Sequence, residues 1–311
     1  SKQLSSHKFS VKMAAEDKRE ATLIDGKAIA ALVRAEVKEM TEEFKTQSGV
    51  TPGLAMLLVG ERPDSQSYVK NKKKAATEVG FHVIDVHLPE TISAEEVLAE
   101  VKKLNEDPQV HGILVQLPLP EHINEAQILK SIRVDKDADG FAAENVPCTP
   151  AGCVELLQRS GVTVAGKTAT VLGRSNLNGM PMAQMLLSMD ATVTTCHSKT
   201  ANVEQHLRNA DIVVVAIGQA EFVRGSWLKP GCVVIDVGIN SIDDETKKAG
   251  YRLVGDVKFD EALGVASAIT PVPGGVGPMT IAMLLRNTLS LARQSAGFSR
   301  LVLRRSDVQP K

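Results

Sequence analysis

A chain of 311 residues is long for one domain and comfortable for two. Its 36 basic and 37 acidic side chains give a net charge of −1, so the composition indicates no polyanionic partner and argues against a nucleic-acid-binding protein. Aromatic residues make up only 3% of the chain, which leaves few platforms for stacking bases, and no apolar run approaches the roughly 18 residues that span a membrane.

Residues 1–20 are predicted to form a disordered tail, because they are rich in Ser and Lys and show no apolar periodicity. Met13 resembles a natural start, and residues 1–12 would then be an addition in front of it. A transit peptide is the alternative, but acidic residues such as Glu16 and Asp17 argue against one. The chain has no signal-peptide segment, and its four cysteines form no metal-ligand cluster. These features predict a soluble protein without a metal in a reducing compartment, the cytoplasm, with mitochondria as the alternative.

Residues 21–147 are predicted to form an N-terminal domain around a parallel α/β sheet, because strand and helix patterns alternate along them. A Ser-x-x-Glu capping box opens one of the helices at Ser93. The predicted elements are a helix from residue 26 to about 40, a strand at 54–59, a helix at 65–79, a strand at 83–88, a helix at 93–104 and a strand at 112–116.

The second helix of this domain carries a lysine run that divides between two faces. At about 100° per residue, Lys72 lies roughly 40° from Tyr68, on the apolar side of the helix. The remaining lysines, Lys70, Lys73 and Lys74, fall on the opposite side, as in a solvated face. A lysine that points inward tends to lose its charge and becomes a usable acid or base. The alternative is that Lys72 extends along the apolar surface and keeps its ammonium group in water.

Two polar residues near the last strand of this domain suit a ligand site. Gln116 ends an apolar strand, where the following prolines stop sheet pairing, and its alternative role is a hydrogen bond to loop backbone. The segment Asp135-Lys-Asp-Ala-Asp-Gly140 supplies three carboxylates but lacks the glutamate that completes a calcium loop. Asp139 is predicted to bind an amidine-like or guanidine-like ring edge, with a turn cap as the alternative.

Residues 148–277 are predicted to form a second domain around a Rossmann-type βαβ unit. Thr149 is predicted to cap, and Pro150 to open, a helix that leads into this unit. Ligands bind at the carboxyl ends of parallel strands, so the turns after these strands are candidate sites. The unit itself covers residues 169–198, and further strands are predicted at 212–216 and 233–237.

The glycine turn of the βαβ unit predicts the cofactor. Gly173 lets the backbone approach a phosphate and Gly179 lets the helix pack against the strand, although the pattern is Gly-x-Ser-x-x-x-Gly rather than Gly-x-Gly-x-x-Gly. No acidic residue lies about 20 positions past the first glycine, where NAD-binding proteins hold the ribose 2′-hydroxyl. Arg174 suits a 2′-phosphate and Ser198 can add a hydroxyl donor, whereas a solvated turn residue is the alternative for Arg174. The sequence therefore predicts NADP rather than NAD.

A stretch rich in proline and glycine precedes the last predicted helix. Three prolines and three glycines over residues 269–280 predict a stiff, exposed loop before a helix start, which suits it to hold a ligand through backbone groups. Residues 278–294 hold the helix, and residues 295–311 are predicted to be a tail.

Seven motifs, taken in order, resemble one family closely. They are Tyr68-x-x-x-Lys72, Val115-Gln-Leu-Pro-Leu-Pro120, Asp137-x-Asp-Gly140, Gly173-Arg-Ser175, Thr194-Thr-Cys-His-Ser198, Asp236-x-Gly-Ile-Asn240 and Pro271-Val-Pro-Gly-Gly-Val-Gly-Pro-Met-Thr280. On these motifs the chain resembles the bifunctional methylenetetrahydrofolate dehydrogenase/methenyltetrahydrofolate cyclohydrolase family over about residues 22–293.

The resemblance implies a homodimer of two-domain α/β subunits. It places folate in a cleft between the N-terminal domain and the Rossmann-type NADP-binding domain, with the last helix returning to the first domain. The implied activities are NADP-dependent oxidation of 5,10-methylenetetrahydrofolate to 5,10-methenyltetrahydrofolate and hydrolysis of the product to 10-formyltetrahydrofolate. These reactions belong to one-carbon metabolism, which serves purine biosynthesis, and they imply tetrahydrofolate substrates with no nucleic-acid or membrane partner.

The resemblance also implies roles for single residues. Lys72 is catalytic with Gln116 beside it, while Tyr68 stacks on the folate and Asp139 holds the pterin; these four form the implied catalytic group. The implied substrate-binding residues are Tyr68, Lys72, Val115, Gln116, Leu117, Asp139, Pro273, Gly274, Gly275, Val276 and Gly277, and the implied cofactor-binding residues are Gly173, Arg174, Ser175, Ser198 and Ile239.

The chain departs from the family pattern between its Asp-Gly-Phe and Pro-Cys-Thr-Pro motifs. Family members carry about a dozen more residues there, whereas here Val146 runs straight into Pro147. Either the loop is truly short or residues are missing at this junction, and we predict a break between the two residues. A short loop would alter the wall of the folate cleft.

Two other functions compete with the folate enzyme. One is an NADP-dependent dehydrogenase of another small metabolite, of the shikimate or amino-acid type. The other is a nucleotide-sensing module that keeps only the βαβ unit, although a sensor would not need Tyr68, Lys72, Gln116 and Asp139 in the other domain. The absorbance of the methenyl product distinguishes these functions.

Overall fold

The computed structural model describes residues 20–141, 146–247 and 250–301. Residues 1–19 and 302–311 of the predicted tails lie outside this part, within which no helix is long and apolar enough to cross a membrane. The elements are β1 (Thr22–Leu23), α1 (Gly26–Ser48), β2 (Gly53–Val59), α2 (Pro63–Glu78), β3 (His82–Leu88), α3 (Ala94–Glu106), β4 (Gly112–Val115), α4 (Glu125–Lys130), α5 (Cys148–Arg159), β5 (Thr168–Leu172), α6 (Gly179–Ser188), β6 (Thr192–Cys196), α7 (Val203–Arg208), β7 (Ile212–Val215), β8 (Val233–Asp236), β9 (Asn240–Asp243), β10 (Tyr251–Val254), α8 (Phe259–Leu263), β11 (Ala268–Ile269) and α9 (Val276–Ser295).

A parallel sheet of three strands, in the order β3-β2-β4, forms the N-terminal half of the molecule. All seven residues of β2 are buried, as an apolar central strand of a parallel sheet should be. Leu57 of β2 stands opposite Val115 of β4, so Gln116 leaves the sheet at its carboxyl edge. Ligands of parallel α/β sheets bind at this edge.

A second parallel sheet forms the C-terminal half, in the order β1-β11-β8-β7-β5-β6. From β5 the chain moves outward to β6 and then returns to the other side of β5 as β7. The strand order therefore reverses beside β5, and the crevice at such a point binds dinucleotides in sheets of this type. The predicted class, a two-domain α/β protein with a Rossmann-type C-terminal half, is confirmed.

The first strand departs from the predicted organisation. Thr22 and Leu23 pair in parallel with Ala268 and Ile269, so the described chain enters the C-terminal sheet before α1 begins the N-terminal half. A strand of two residues has no periodicity to detect, which is why the sequence gives no sign of it. At the other end of the chain, α9 packs against α1 and α5. Both ends therefore connect the two halves.

Two predicted helix ends are wrong. The first helix, α1, continues past Met40 to Ser48, where Gly49 ends it with a left-handed φ of 71°. Thr149 does not cap α5, because the helix already begins at Cys148. The Thr149 hydroxyl instead lies 3.0 Å from the hydroxyl of Thr280 on α9, so it connects α5 to α9 and does not cap α5.

One further feature differs from the predictions. The strands β9 and β10 form an antiparallel hairpin that the sequence analysis did not predict. The break proposed between Val146 and Pro147 stays a prediction. Residues 142–145 of the short connection lie outside the described part of the chain.

Candidate active site and cofactor cleft

Lys72 and Gln116 meet at the carboxyl edge of the N-terminal sheet. The Nζ atom of Lys72 donates a hydrogen bond to Oε1 of Gln116 at 3.0 Å. Gln116 is only 9% exposed, and its Nε2 donates to the carbonyl oxygen of Leu117 at 2.7 Å. This second bond assigns the orientation of the amide, so that its oxygen faces the lysine. Lys72 therefore points inward, as the helix periodicity predicts.

The other lysines of α2 lie on the predicted solvated face. Lys70 and Lys74 are exposed. The ammonium group of Lys73 forms a surface ion pair with Asp85 of β3, and the side chain of Lys73 is 32% exposed. Helix periodicity alone could not predict this partner, because it comes from a neighbouring strand.

Asp139 lies close to the charge of Lys72 and to the thiol of Cys148. Burial raises the pKa of the Asp139 carboxyl group, while the positive charge of Lys72 opposes this rise. Burial also raises the pKa of the Cys148 thiol well above its ordinary value. The turn here is capped by Asp137, whose Oδ1 accepts from the N–H of Gly140 at 3.0 Å. Asp137, and not Asp139, therefore caps this turn.

The remaining predicted residues of this edge differ in accessibility. Tyr68 stands one helical turn before Lys72 and is 43% exposed. Leu117 is half-buried and is joined to Pro118 by a cis peptide bond. Val115 is 1% exposed and packs in the core of the N-terminal half, so its side chain offers no surface to a ligand.

The predicted exposed loop before α9 is largely buried. Gly274 and Gly275 are buried, and a Cβ placed on Gly26 would lie 1.8 Å from the carbonyl oxygen of Gly275. The loop therefore packs directly against the first turn of α1. The last helix begins at Val276, not at residue 278, so Val276 and Gly277 belong to its first turn. Within this loop and the first turn of α9, Pro273 and Gly277 are the exposed residues of the predicted substrate-binding set.

A cavity of about 390 Å³ opens at the carboxyl ends of β5, β6 and β7. Gly173 has a φ of +124°, and a Cβ there would lie 2.3 Å from the carbonyl oxygen of Ala216, so this turn requires glycine. A Cβ on Gly179 would lie 2.2 Å from the carbonyl oxygen of Gly173, so helix α6 also starts at close contact. The cavity is lined by Leu172, Gly173, Arg174, His197, Ser198, Thr200, Val203, Ala216, Ile217, Gln219 and Phe222.

The predicted cofactor residues are not all in this cavity. Gly173, Arg174 and Ser198 line it. The Ser175 hydroxyl accepts from the N–H groups of Asn178 at 3.2 Å and Gly179 at 3.4 Å, so it stabilises the turn instead. Ile239 is 49% exposed and is not part of the lining.

The sequence analysis missed several residues of the lining. His197, Ile217 and Gln219 each lie just after the carboxyl end of β6 or β7, a position that by itself marks a candidate contact. Over the described ranges, no group of three or more His, Cys, Asp or Glu side chains is arranged to hold a metal ion.

The fold and the site define a two-domain α/β protein with a dinucleotide-binding half and a hydrogen-bonded Lys–Gln pair in the other half. Residues 147–296 match the model of the tetrahydrofolate dehydrogenase/cyclohydrolase NAD(P)-binding domain, and residues 24–139 match the model of the catalytic domain of the same family. The chain belongs to the tetrahydrofolate dehydrogenase/cyclohydrolase family.

Relatives and solved structures agree with this assignment. The chain is 53% identical to Bifunctional protein FolD 2 of Arabidopsis thaliana, over 92% of this chain and 100% of the relative. It is 51% identical to Bifunctional protein FolD of Caulobacter vibrioides, over 90% and 99%. A Trypanosoma brucei methylenetetrahydrofolate dehydrogenase-cyclohydrolase, crystallised with NADP and an inhibitor, superposes with a TM-score of 0.85 at 45% identity, over 89% and 98% of the two chains. The Campylobacter jejuni FolD methylenetetrahydrofolate dehydrogenase/cyclohydrolase superposes with a TM-score of 0.83 at 46% identity, over 88% of this chain and 99% of that chain.

The match to the Arabidopsis relative also bears on the short loop. The alignment is 298 positions long, but it includes only 92% of the 311 residues of this chain, which is about 286 residues. About a dozen positions of the match therefore have no counterpart here. This number is similar to the shortfall that the sequence analysis predicts after Phe141, and the short connection there stays a prediction.

Proposed function

We propose that the protein oxidises 5,10-methylenetetrahydrofolate with NADP and hydrolyses the resulting methenyl cation to 10-formyltetrahydrofolate. The observation that carries this proposal is the inward Lys72, held at 3.0 Å by Gln116 beside the partly buried Asp139. An NADP-binding half alone would not require this group. The family and the two matched domains support both activities.

The dehydrogenase step needs orientation more than acid/base chemistry. When bound, NADP would supply the hydride acceptor, and residues of the cavity would hold it: the Gly173 turn would admit a phosphate, and Arg174 with Ser198 would suit the 2′-phosphate. Removal of a hydride from the methylene carbon leaves a cation and puts no proton on the enzyme. The protein contributes mainly by aligning the two reactants.

The cyclohydrolase step needs a base. A water molecule attacks the methenyl carbon, and Lys72, once its ammonium group has released a proton, accepts a proton from that water while another of its N–H groups stays bonded to Gln116 Oε1. The bond between this carbon and N5 then breaks, and N5 takes up a proton as the new hydroxyl group loses its own to become the formyl oxygen. Gln116 cannot compete for the lysine lone pair, because its own N–H₂ group is directed to the Leu117 carbonyl. Asp139 is the proposed pterin-binding residue, Tyr68 stacks on the folate, and the exposed Pro273 and Gly277 line the same cleft.

The test separates the two activities. In Lys72→Gln we expect cyclohydrolase activity to fall far more than dehydrogenase activity, because only hydrolysis requires a base. Initial rates of NADPH formation and of methenyl decay are measured on one preparation. Lys70→Gln is the matched control, because it makes the same change at an exposed position of the same helix.

Equal loss of both rates in Lys72→Gln would make Lys72 a positioning residue and refute its role as a base. If the wild-type enzyme formed no methenyl product from methylenetetrahydrofolate and NADP, the proposed reaction itself would be wrong. Normal rates in Lys70→Gln are required for either conclusion.

We also propose that the protein is a homodimer, as the family resemblance implies. In the described part of the chain β6 pairs only with β5, which leaves one edge of the C-terminal sheet open. Beside it, α6 exposes Leu187 at 62% and Met180 at 43%. An open edge next to an apolar helix surface suits a second copy. Light scattering should give twice the mass of 33.3 kDa, and Leu187→Glu should reduce it to that of one chain.

A cytoplasmic location and a role in purine biosynthesis are part of the same proposal. The four cysteines are all free and buried, which suits a reducing compartment. Relatives named as chloroplastic and mitochondrial keep mitochondria as the alternative. Cell fractionation tests the location, and formyl-group labelling of purines tests the role.

A further inference from the structure

A buried carboxylate, Asp256, lies behind the wall of the cofactor cavity. It is 0% exposed and accepts three hydrogen bonds from consecutive backbone N–H groups: Ile217 at 2.7 Å, Gly218 at 3.0 Å and Gln219 at 2.8 Å. A fourth comes from the Nδ2 atom of Asn240 at 2.9 Å. The carboxylate thus binds the loop after β7 and the start of β9 together.

The position of these partners connects Asp256 to the cofactor. Ile217 and Gln219 line the cavity that also contains Arg174 and Ser198. Consecutive N–H groups at the end of a parallel strand form an anion-binding concavity, which in nucleotide-binding proteins can face a phosphate. Here an internal carboxylate fills that concavity. Its N–H groups are therefore committed to Asp256 and not to a phosphate of the cofactor.

A second carboxylate and two glycines hold Asp256 in place. Asp236 accepts from the backbone N–H groups of Asp256 at 3.0 Å, Val257 at 2.9 Å and Gly238 at 3.0 Å. A Cβ on Gly238 would lie 2.3 Å from Oδ1 of Asp256, and one on Gly255 would lie 1.9 Å from Oδ2 of Asp236. The backbone is thus packed closely around both carboxylates.

We propose that Asp256 is a positioning residue for NADP, which fixes the cavity wall at residues 217–219 and the turn at Asn240 without touching the cofactor. All four of its partners are donors, so both of its oxygens must accept. An asparagine has the same shape but would turn an N–H₂ group toward at least one of these donors. No orientation of the amide satisfies the site.

This inference rests on the proposed function, and its test uses the activity that does not need NADP. The full chain is compared as wild type, Asp256→Asn and the control Asp260→Asn, which removes the same charge at an exposed position of α8. In Asp256→Asn we expect the KM and Kd for NADP to rise at least tenfold. The KM for methylenetetrahydrofolate and the cyclohydrolase rate should stay within twofold of wild type. Asp260→Asn should match wild type in every measurement.

A second pair of variants tests the contact itself. Asn240→Ala removes one of the four donors and should raise the KM for NADP less than Asp256→Asn does. The double variant D256N/N240D restores an acceptor opposite the new amide and should recover part of the lost NADP affinity, a result that general damage to the fold would not give.

Each remaining outcome decides between the hypotheses. Unchanged NADP affinity in Asp256→Asn overturns the inference. It is also overturned if Asp256→Asn loses dehydrogenase and cyclohydrolase activity equally while Asn240→Ala has no effect on either. A wild-type protein that binds NADP but does not oxidise methylenetetrahydrofolate refutes the proposed function and leaves the inference testable through the Kd.

Discussion

Replacement of Arg174 by alanine should convert a preference for NADP into near equality between NADP and NAD. Arg174 lies in the turn after β5 and lines the cofactor cavity together with Ser198. Within the window 194–198, where a carboxylate would hold the 2′-hydroxyl of NAD, the sequence has none. The guanidinium group is thus the charged group best placed for the phosphate that distinguishes the two cofactors.

The magnitude follows from the exposure of Arg174. A hydrogen bond between charged groups contributes about 1.5–3 kcal/mol, and an exposed pair lies at the low end because water and salt screen it. A loss of about 1.5–2 kcal/mol corresponds to a roughly 10- to 30-fold fall in kcat/KM for NADP. NAD carries no 2′-phosphate, so its kcat/KM should change less than about twofold.

The assay measures initial rates with each cofactor at a fixed concentration of methylenetetrahydrofolate. Lys199→Ala is the matched control, because it removes a positive charge next to Ser198 at an exposed residue outside the cavity lining. Equal use of both cofactors by the wild type would contradict the reasoning, and so would an equal fall with both cofactors in Arg174→Ala.

Three further predictions concern the turn, a cap and a titrating group. Gly173→Ala should abolish NADP binding, because the new Cβ would lie 2.3 Å from the carbonyl oxygen of Ala216. Gly161 also has a positive φ but faces open space, so Gly161→Ala should lower the free energy of unfolding by about 1–2 kcal/mol and leave the kinetics unchanged. Titration of NADP binding distinguishes the two variants. Ser93→Ala removes the capping box of α3 and should lower the free energy of unfolding in urea by about 1 kcal/mol with normal activity. Burial raises the pKa of Asp236 to about 7, against about 3.9 in the unfolded chain, so the native state holds the extra proton between these values. The free energy of unfolding of the wild type relative to Asp236→Asn should therefore fall as the pH rises from about 4 to about 7, and urea midpoints that show no such trend would contradict it.

The sequence predicts helices and strands well where burial of one face makes apolar residues recur at a regular spacing. All seven residues of β2 are buried and apolar, and the capping box at Ser93 marks the start of α3 as predicted. The angular position of Lys72 puts it on the apolar side of its helix, and its bond to Gln116 decides between the two orientations that the sequence leaves open. Periodicity does not reveal the partner of Lys73, because Asp85 comes from another element.

What the sequence does not predict depends on contacts between distant segments. Thr22 and Leu23 become a strand only because Ala268 and Ile269 offer an open edge. Asp256 appears in sequence as one acidic residue among many, since its role is defined by N–H groups 37–39 positions earlier. Local periodicity contains no information about such partners.

A partly buried ionic network joins helices of the two halves. Glu155 on α5 is 3% exposed in its side chain and accepts from Arg159 Nε and from Arg286 of α9, both at 2.7 Å. Arg159 continues to Glu36 of α1 at 2.7 Å, and these contacts raise the pKa of its guanidinium group. Desolvation offsets much of the attraction in such a network, so net stability is a weak reason for it. Because its members come from α1, α5 and α9, the network restricts how these three helices can be placed relative to one another.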